Sequence, residues 1–262
     1  MDEEVPVGLR RDTASQRPAG PEGSGVATTA PFQLKLLGRF NLSLGRRPLS
    51  LGLSSQRLLA FLALDDGPVV RTNGAAVLWP DVPAFRANAN LRGAVWRLQR
   101  RCPLAIHASF LELSLASCVL VDVRMVIATA RRLIDRTATL SEEELSRAMR
   151  CNLYDDLLPD WLEDDWLAAE RERFRQLRLH ALEGLCERMV EAGWYGAAVD
   201  AVMAAVAADP FRESAQHLLI RAHLAEGNHR EALQQYESFH CLLRDELGLE
   251  PSEELRSLLY AG

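Results

Sequence analysis

Apolar residues alternate with polar ones in the first part of the chain, then recur at helical spacing. FQLKLL at 32–37, FNLSL at 40–44, a turn at Gly45-Arg46-Arg47 and PLSLGL at 48–53 predict a small antiparallel sheet. Ser54 or Ser55 then stands where a helix is capped. Its core positions are Leu58, Leu59, Phe61 and Leu62, and Asp65-Asp66-Gly67-Pro68 ends it. Thr72 opens a second short helix that runs to Leu78-Trp79 and stops at Pro80. A third, RANANLRGAVWRLQRR at 86–101, turns Leu91, Ala94, Val95 and Leu98 to a core and closes at Cys102-Pro103. Two short strands, LAIH and FLEL, follow with a tight join at Ala108-Ser109, and VLVDV at 119–123 returns. Strands, three helices and a terminal hairpin predict a winged helix-turn-helix whose third helix enters a major groove.

Beyond residue 123 the pattern is helical throughout. EAGWYGAAVDAVMAAV from Glu191 and AEGNHREALQQYESFH from Ala225 repeat at a spacing of 34 residues, aligning Gly193 with Gly227 and Ala198 with Ala232. That period belongs to tetratricopeptide helix pairs, in which glycine permits a sharp turn and alanine a close approach. Each pair leaves an apolar face open until the next covers it, and the segment after Pro251 fits a terminal cap. The fold class is mainly α with a small β part. Residues 1–31, rich in Pro, Gly, Ser and Thr, read as a disordered tail. Residues 32–123 read as the winged helix-turn-helix and 124–262 as a tetratricopeptide-like all-α domain.

Charge sharpens the division. The chain carries 30 Lys+Arg and 36 Asp+Glu, net −6, yet residues 31–118 hold eleven basic and four acidic residues (+7), and 119–262 hold sixteen and 27 (−11). A basic module joined to an acidic helical one points to nucleic acid for the first. The third helix carries Arg86, Arg92, Arg97, Arg100 and Arg101 with no acid among them. A guanidinium pairs with phosphate and also forks onto a guanine edge. On a wheel anchored at Leu91 and Leu98, Gly93, Trp96 and Arg100 point away from the core, with Arg92 and Arg97 on the flanks. Asn88 and Asn90 lie in the first turns, where side-chain amides meet phosphates, although Asn88 also suits a cap. Arg57 and Arg71 complete the DNA-contact candidates. The bland alternative for the run is a solvated basic face.

Other chemistries find no foothold. Five scattered cysteines without a Cys-x-x-Cys pair suit reduced thiols, and six dispersed histidines make no zinc set. Neither a nucleophile elbow nor H-E-x-x-H occurs, so no catalytic residue, cofactor or metal is expected. No apolar run reaches the length of a membrane span, and no secretory pattern opens the chain.

Both halves resemble the Streptomyces antibiotic regulatory protein family, an OmpR-type winged helix followed by a bacterial transcriptional activation domain. The likeness rests on LLGRFNLSL at 36–44, QRLLAFLAL at 56–64, LW at 78–79 and LRGAVWRLQRR at 91–101. It continues in LEDDWLAAERERFRQLRLHALE at 162–183, DPFRESAQHLLIRAH at 209–223, EALQQY at 231–236 and DELGLEPSEEL at 245–255. The resemblance implies a cytoplasmic, nucleoid-associated, actinobacterial activator that binds double-stranded promoter DNA at direct repeats. It further implies a second protomer on the DNA and recruitment of RNA polymerase holoenzyme, including its sigma factor. The competing reading is an adaptor that works by protein contacts through the helical repeats, with a vestigial DNA-binding part. Three departures bear on the choice. The wing turn is His107-Ala108-Ser109-Phe110 and residues 102–118 contain no Lys or Arg. Asn73-Gly74 inside the second helix predicts that this helix is short or begins later. No G-x-x-x-x-G-K-[ST] motif is present.

Overall fold

The computed structural model describes residues 31–260, so the expected tail lies, but for Pro31, outside the described residues. Strand β1 (Phe32–Lys35) pairs antiparallel with β2 (Asn41–Leu44), which pairs with β3 (Arg47–Pro48). The predicted strand at 48–53 is cut to its first position. Pro48 has no N–H to extend the ladder, and after Leu49 donates to Leu42 O the chain turns into a helix. That helix, α1 (Leu53–Leu64), begins after Gly52 without a side-chain cap. Ser54 and Ser55 therefore do not cap it. Ser55 is buried within the first turn, and its hydroxyl donates to Ala94 O at 3.4 Å, tying α1 to the arginine helix.

A two-residue strand, β4 (Val69–Val70), precedes α2 (Arg71–Leu78). The glycine does not delay α2. Gly74 is buried in its middle, facing Val69 and Phe61, so packing outweighs the local propensity cost. The arginine helix, α3 (Ala84–Arg101), starts two residues before the predicted point, behind Pro83. Strands β5 (Ile106–Ala108) and β6 (Glu112–Leu115) form the hairpin, with β4 on the far edge of β6. Phe110 and Leu111 thus belong to the turn rather than to a strand.

Strand β7 (Val119–Val121) runs parallel to β1, and α4 (Asp122–Ile134) starts where it ends. Asp122 is the pivot: its carboxylate accepts from the amides of Leu36, Leu37 and Val123 at 2.9, 3.1 and 2.7 Å. Burial pushes this carboxyl above its usual range against the pull of those amides.

The helical half continues with α5 (Glu142–Met149), α6 (Asp165–Glu191), α7 (Tyr195–Ala208), α8 (Glu213–Glu226), α9 (His229–Leu247) and α10 (Glu253–Ser257). The repeat at 34 residues becomes two helix pairs, α6/α7 and α8/α9. Gly193 and Gly227 hold the equivalent left-handed turns at φ 77° and 87°. Leu255 of α10 is buried beside Ile220, Phe239 and Leu243 and covers the open end.

One buried apolar cluster runs from β1 through α3 and α6 to α8. The two halves also share polar and aromatic ties. Leu158 N donates to Leu36 O, Phe40 stacks on Trp161 at 5.8 Å, and Phe61 meets Trp166 edge-on at 5.4 Å.

Candidate nucleic-acid interface

Helix α3 buries Ala87, Leu91, Ala94, Val95 and Leu98. These five recur at i+3 and i+4, so one stripe goes to the core and the rest of the cylinder faces outward. Arg86, Asn90, Arg92, Trp96, Arg97, Arg100 and Arg101 all lie on the exposed part. None of the five arginines is ion-paired with a described acidic residue. Arginines lying close together on one helix repel each other, and a polyanion is the partner that relieves this.

The aromatic and small residues organise that charge. Trp96 is 58% exposed and carries Arg100 above its ring, the guanidinium carbon 4.9 Å from the centroid. That contact orients Arg100 while leaving its N–H groups free. Phe85, which no pattern in the sequence singles out, is 70% exposed and lies 5.7 Å from the Arg86 guanidinium. A Cβ at Gly93 would come within 3.3 Å of Arg97 Nη1. The missing side chain gives Arg97 room to fold back along the helix. Trp96, Arg97, Arg100 and Arg101 also wall a concavity of about 710 Å³ with Gly52 and Ser55 at the start of α1. Asn88 is half-buried and donates to Ala84 O at 2.8 Å, so its side-chain amide serves the helix backbone.

Two further candidates serve the fold. Arg57 is held by Asp164, with Nε at 2.7 Å and Nη2 at 2.6 Å. Trp166 Nε1 donates to the same carboxylate at 3.0 Å. This removes Arg57 from the exposed arginine face and makes it a clasp between α1 and the start of α6. Nothing in α1 signals this. Its partner lies 107 residues away, in the acidic stretch at 163–165. Arg71 donates through Nε to Ser109 O at 2.8 Å and through its backbone N to Leu111 O. It braces the wing turn, whose tip residue Phe110 is 93% exposed.

The helical half carries its own polar construction. Glu183 of α6 receives Arg212 at 2.7 and 3.0 Å and the Ser214 hydroxyl at 2.5 Å. Burial pushes the Glu183 carboxyl up, but these hydrogen bonds prevail and hold it below its ordinary value. Arg175 reaches Asp209 at 3.3 Å, and Gln216 donates to Pro210 O. The DPFRESAQ segment is thus the start of α8 bonded to α6 and to itself. Cys186 is sealed in α6, its thiol pushed up to about 12 by burial. Among the described residues no group of three or more His, Cys, Asp or Glu is placed to hold a metal ion, and no helix is long and apolar enough to cross a membrane.

Comparison with known proteins adds to this geometry. The bacterial transcriptional activator domain family profile matches residues 121–261. The regulatory protein AfsR of Streptomyces griseus is 31% identical over 254 residues, 88% of this chain and 24% of that protein. AfsR of Streptomyces coelicolor is 30% identical over 220 residues, 80% of this chain and 22% of that one. The chain therefore spans about a quarter of the length of these curated relatives. Among solved structures, Mycobacterium tuberculosis EmbR in complex with a low-affinity phosphopeptide superimposes with a TM-score of 0.73 at 20% identity. That match covers 88% of this chain and 64% of the other, and it is a likeness of fold.

Proposed function

The chain belongs to the bacterial transcriptional activator domain family, as a Streptomyces antibiotic regulatory protein, and from that premise we propose that it is a sequence-specific DNA-binding transcription activator. The observation that carries the reading is the exposed face of α3, with five arginines that have no described acidic partner. Phosphate contacts from Asn90, Arg92, Arg97, Arg100 and Arg101 supply affinity, and Arg86 at the start of α3 meets base edges. The helical half, with a net charge of −11 over residues 119–262, contacts a second protomer and RNA polymerase holoenzyme with its sigma factor. Sites are direct repeats, and the protein works in the cytoplasm, on the nucleoid.

A second reading is an adaptor whose DNA-binding part is vestigial, favoured by a wing without cations and with an apolar tip at Phe110. A mobility-shift assay at low salt, using the intergenic DNA beside the protein's own coding region, separates the two. The activator reading expects a discrete complex that survives excess unrelated duplex. Absence of any complex at low salt, where phosphate contacts are strongest, leaves the adaptor.

A further inference from the structure

A groove of about 590 Å³ opens where the two halves meet, between the end of α1, the exposed side of α4 and the first half of α6. Its floor is apolar: Val123 and Phe174 are buried, and Leu64, Ile127 and Leu177 are half-buried above them. The rim is polar and unbalanced. Glu170 is neutralised by Arg173 at 3.1 Å. Arg124 donates to two backbone carbonyls, Ala63 O at 3.0 Å and Asp65 O at 2.7 Å, which hold the guanidinium without cancelling its charge. Arg131 has no described acidic partner and stands two helical turns beyond Arg124, on the same face of α4 with Ile127 and Ala128 between. Asp66, at the exposed mouth, is the remaining acid. Two cations against one carboxylate, set over an apolar floor of this size, match one small molecule with an apolar body and an acidic group.

We propose that this groove binds an amphipathic organic anion and that Arg131 pairs with its acidic group. An occupant touches α1, α4 and α6 together, so it binds only when these elements keep this arrangement and thereby fixes the joint between the halves. Binding stands without the DNA reading. Its consequence for promoter occupancy rests on that reading. The test uses the full chain and anilinonaphthalene sulfonate, a fluorescent apolar anion, with decanoate and decanol as competitors. We expect saturable binding of one probe per chain, displaced by decanoate and hardly by decanol. Ala128→Trp, at an exposed position, fills the groove and abolishes this signal. Arg131→Gln weakens binding about tenfold, as expected when one charge-assisted hydrogen bond is removed. Equal titrations for the parent and both variants, or displacement by decanol as readily as by decanoate, overturn the proposal. A mobility-shift assay on the same samples keeps the readings apart. Abolished probe binding with intact DNA binding in the variants supports a separate groove. A parent that binds probe and no DNA contradicts the DNA reading alone.

Discussion

Gly74 lies in the middle of α2, and a Cβ there meets Val69 and Phe61 at 3.4 and 3.6 Å, ordinary contact distances. Gly184, in α6, lies where a Cβ would come within 2.6 Å of the Leu133 carbonyl oxygen of α4. The two therefore respond oppositely to alanine. Gly74→Ala is expected to stabilise the fold by up to about 1 kcal/mol through lower unfolded-state entropy and better helix propensity. Gly184→Ala is expected to destabilise it by about 1–3 kcal/mol, because α4 and α6 must separate. Urea denaturation of both variants checks the signs. Glu183 adds a pH dependence. Its carboxyl is depressed in the fold, so its contribution is fully present above the ordinary value of 4.5 and is lost as pH falls through the lower folded value. Glu183→Gln should flatten the acid limb of a stability-against-pH curve. A limb unchanged by the substitution removes Glu183 from the account.

At the scale of elements, the long periodic segments were legible. The stripe on α3 predicted four of its five buried residues, missing Ala87 in the first turn, and the spacing of 34 residues predicted two glycine-turned helix pairs. The boundaries were less so, for physical reasons. Ser54 and Ser55 do not cap α1, Pro48 ended a strand that alternation would have extended, and β4 is too short to show a period. Among the candidate DNA contacts, exposure on α3 was readable from one helix alone. The fate of Arg57 depended on a carboxylate 107 residues away, and no local pattern carries such a pairing. Because Arg57 clasps α1 to the start of α6, Arg57→Ala should destabilise the protein by about 1–3 kcal/mol, leaving Asp164 with one donor. It should leave the salt dependence of DNA binding as it is in the parent. A changed slope would return Arg57 to the DNA contacts.

For the whole molecule, the sharp change in charge near residue 118 marked a basic module joined to an acidic one. The apolar cluster runs unbroken across that change, from β1 to α8, with Asp122 ending the sheet and opening α4. Under the proposed function two protomers on a direct repeat would sit head-to-tail, and a continuous core would give that pair a defined spacing. Inserting about five base pairs between half-sites should abolish cooperative binding by turning one protomer to the opposite side of the duplex, and about ten should restore it. Cooperativity indifferent to both insertions would contradict the arrangement. The central claim, that α3 is the DNA-contacting helix, is tested most directly by the salt dependence of DNA binding for the full chain, Arg92→Ala and Arg97→Ala. If α3 meets the phosphates, each variant binds more weakly at low salt, and each arginine–phosphate pair removed lowers the magnitude of the slope of log affinity against log salt by about 1. Two variants that bind like the parent at every salt concentration would contradict it.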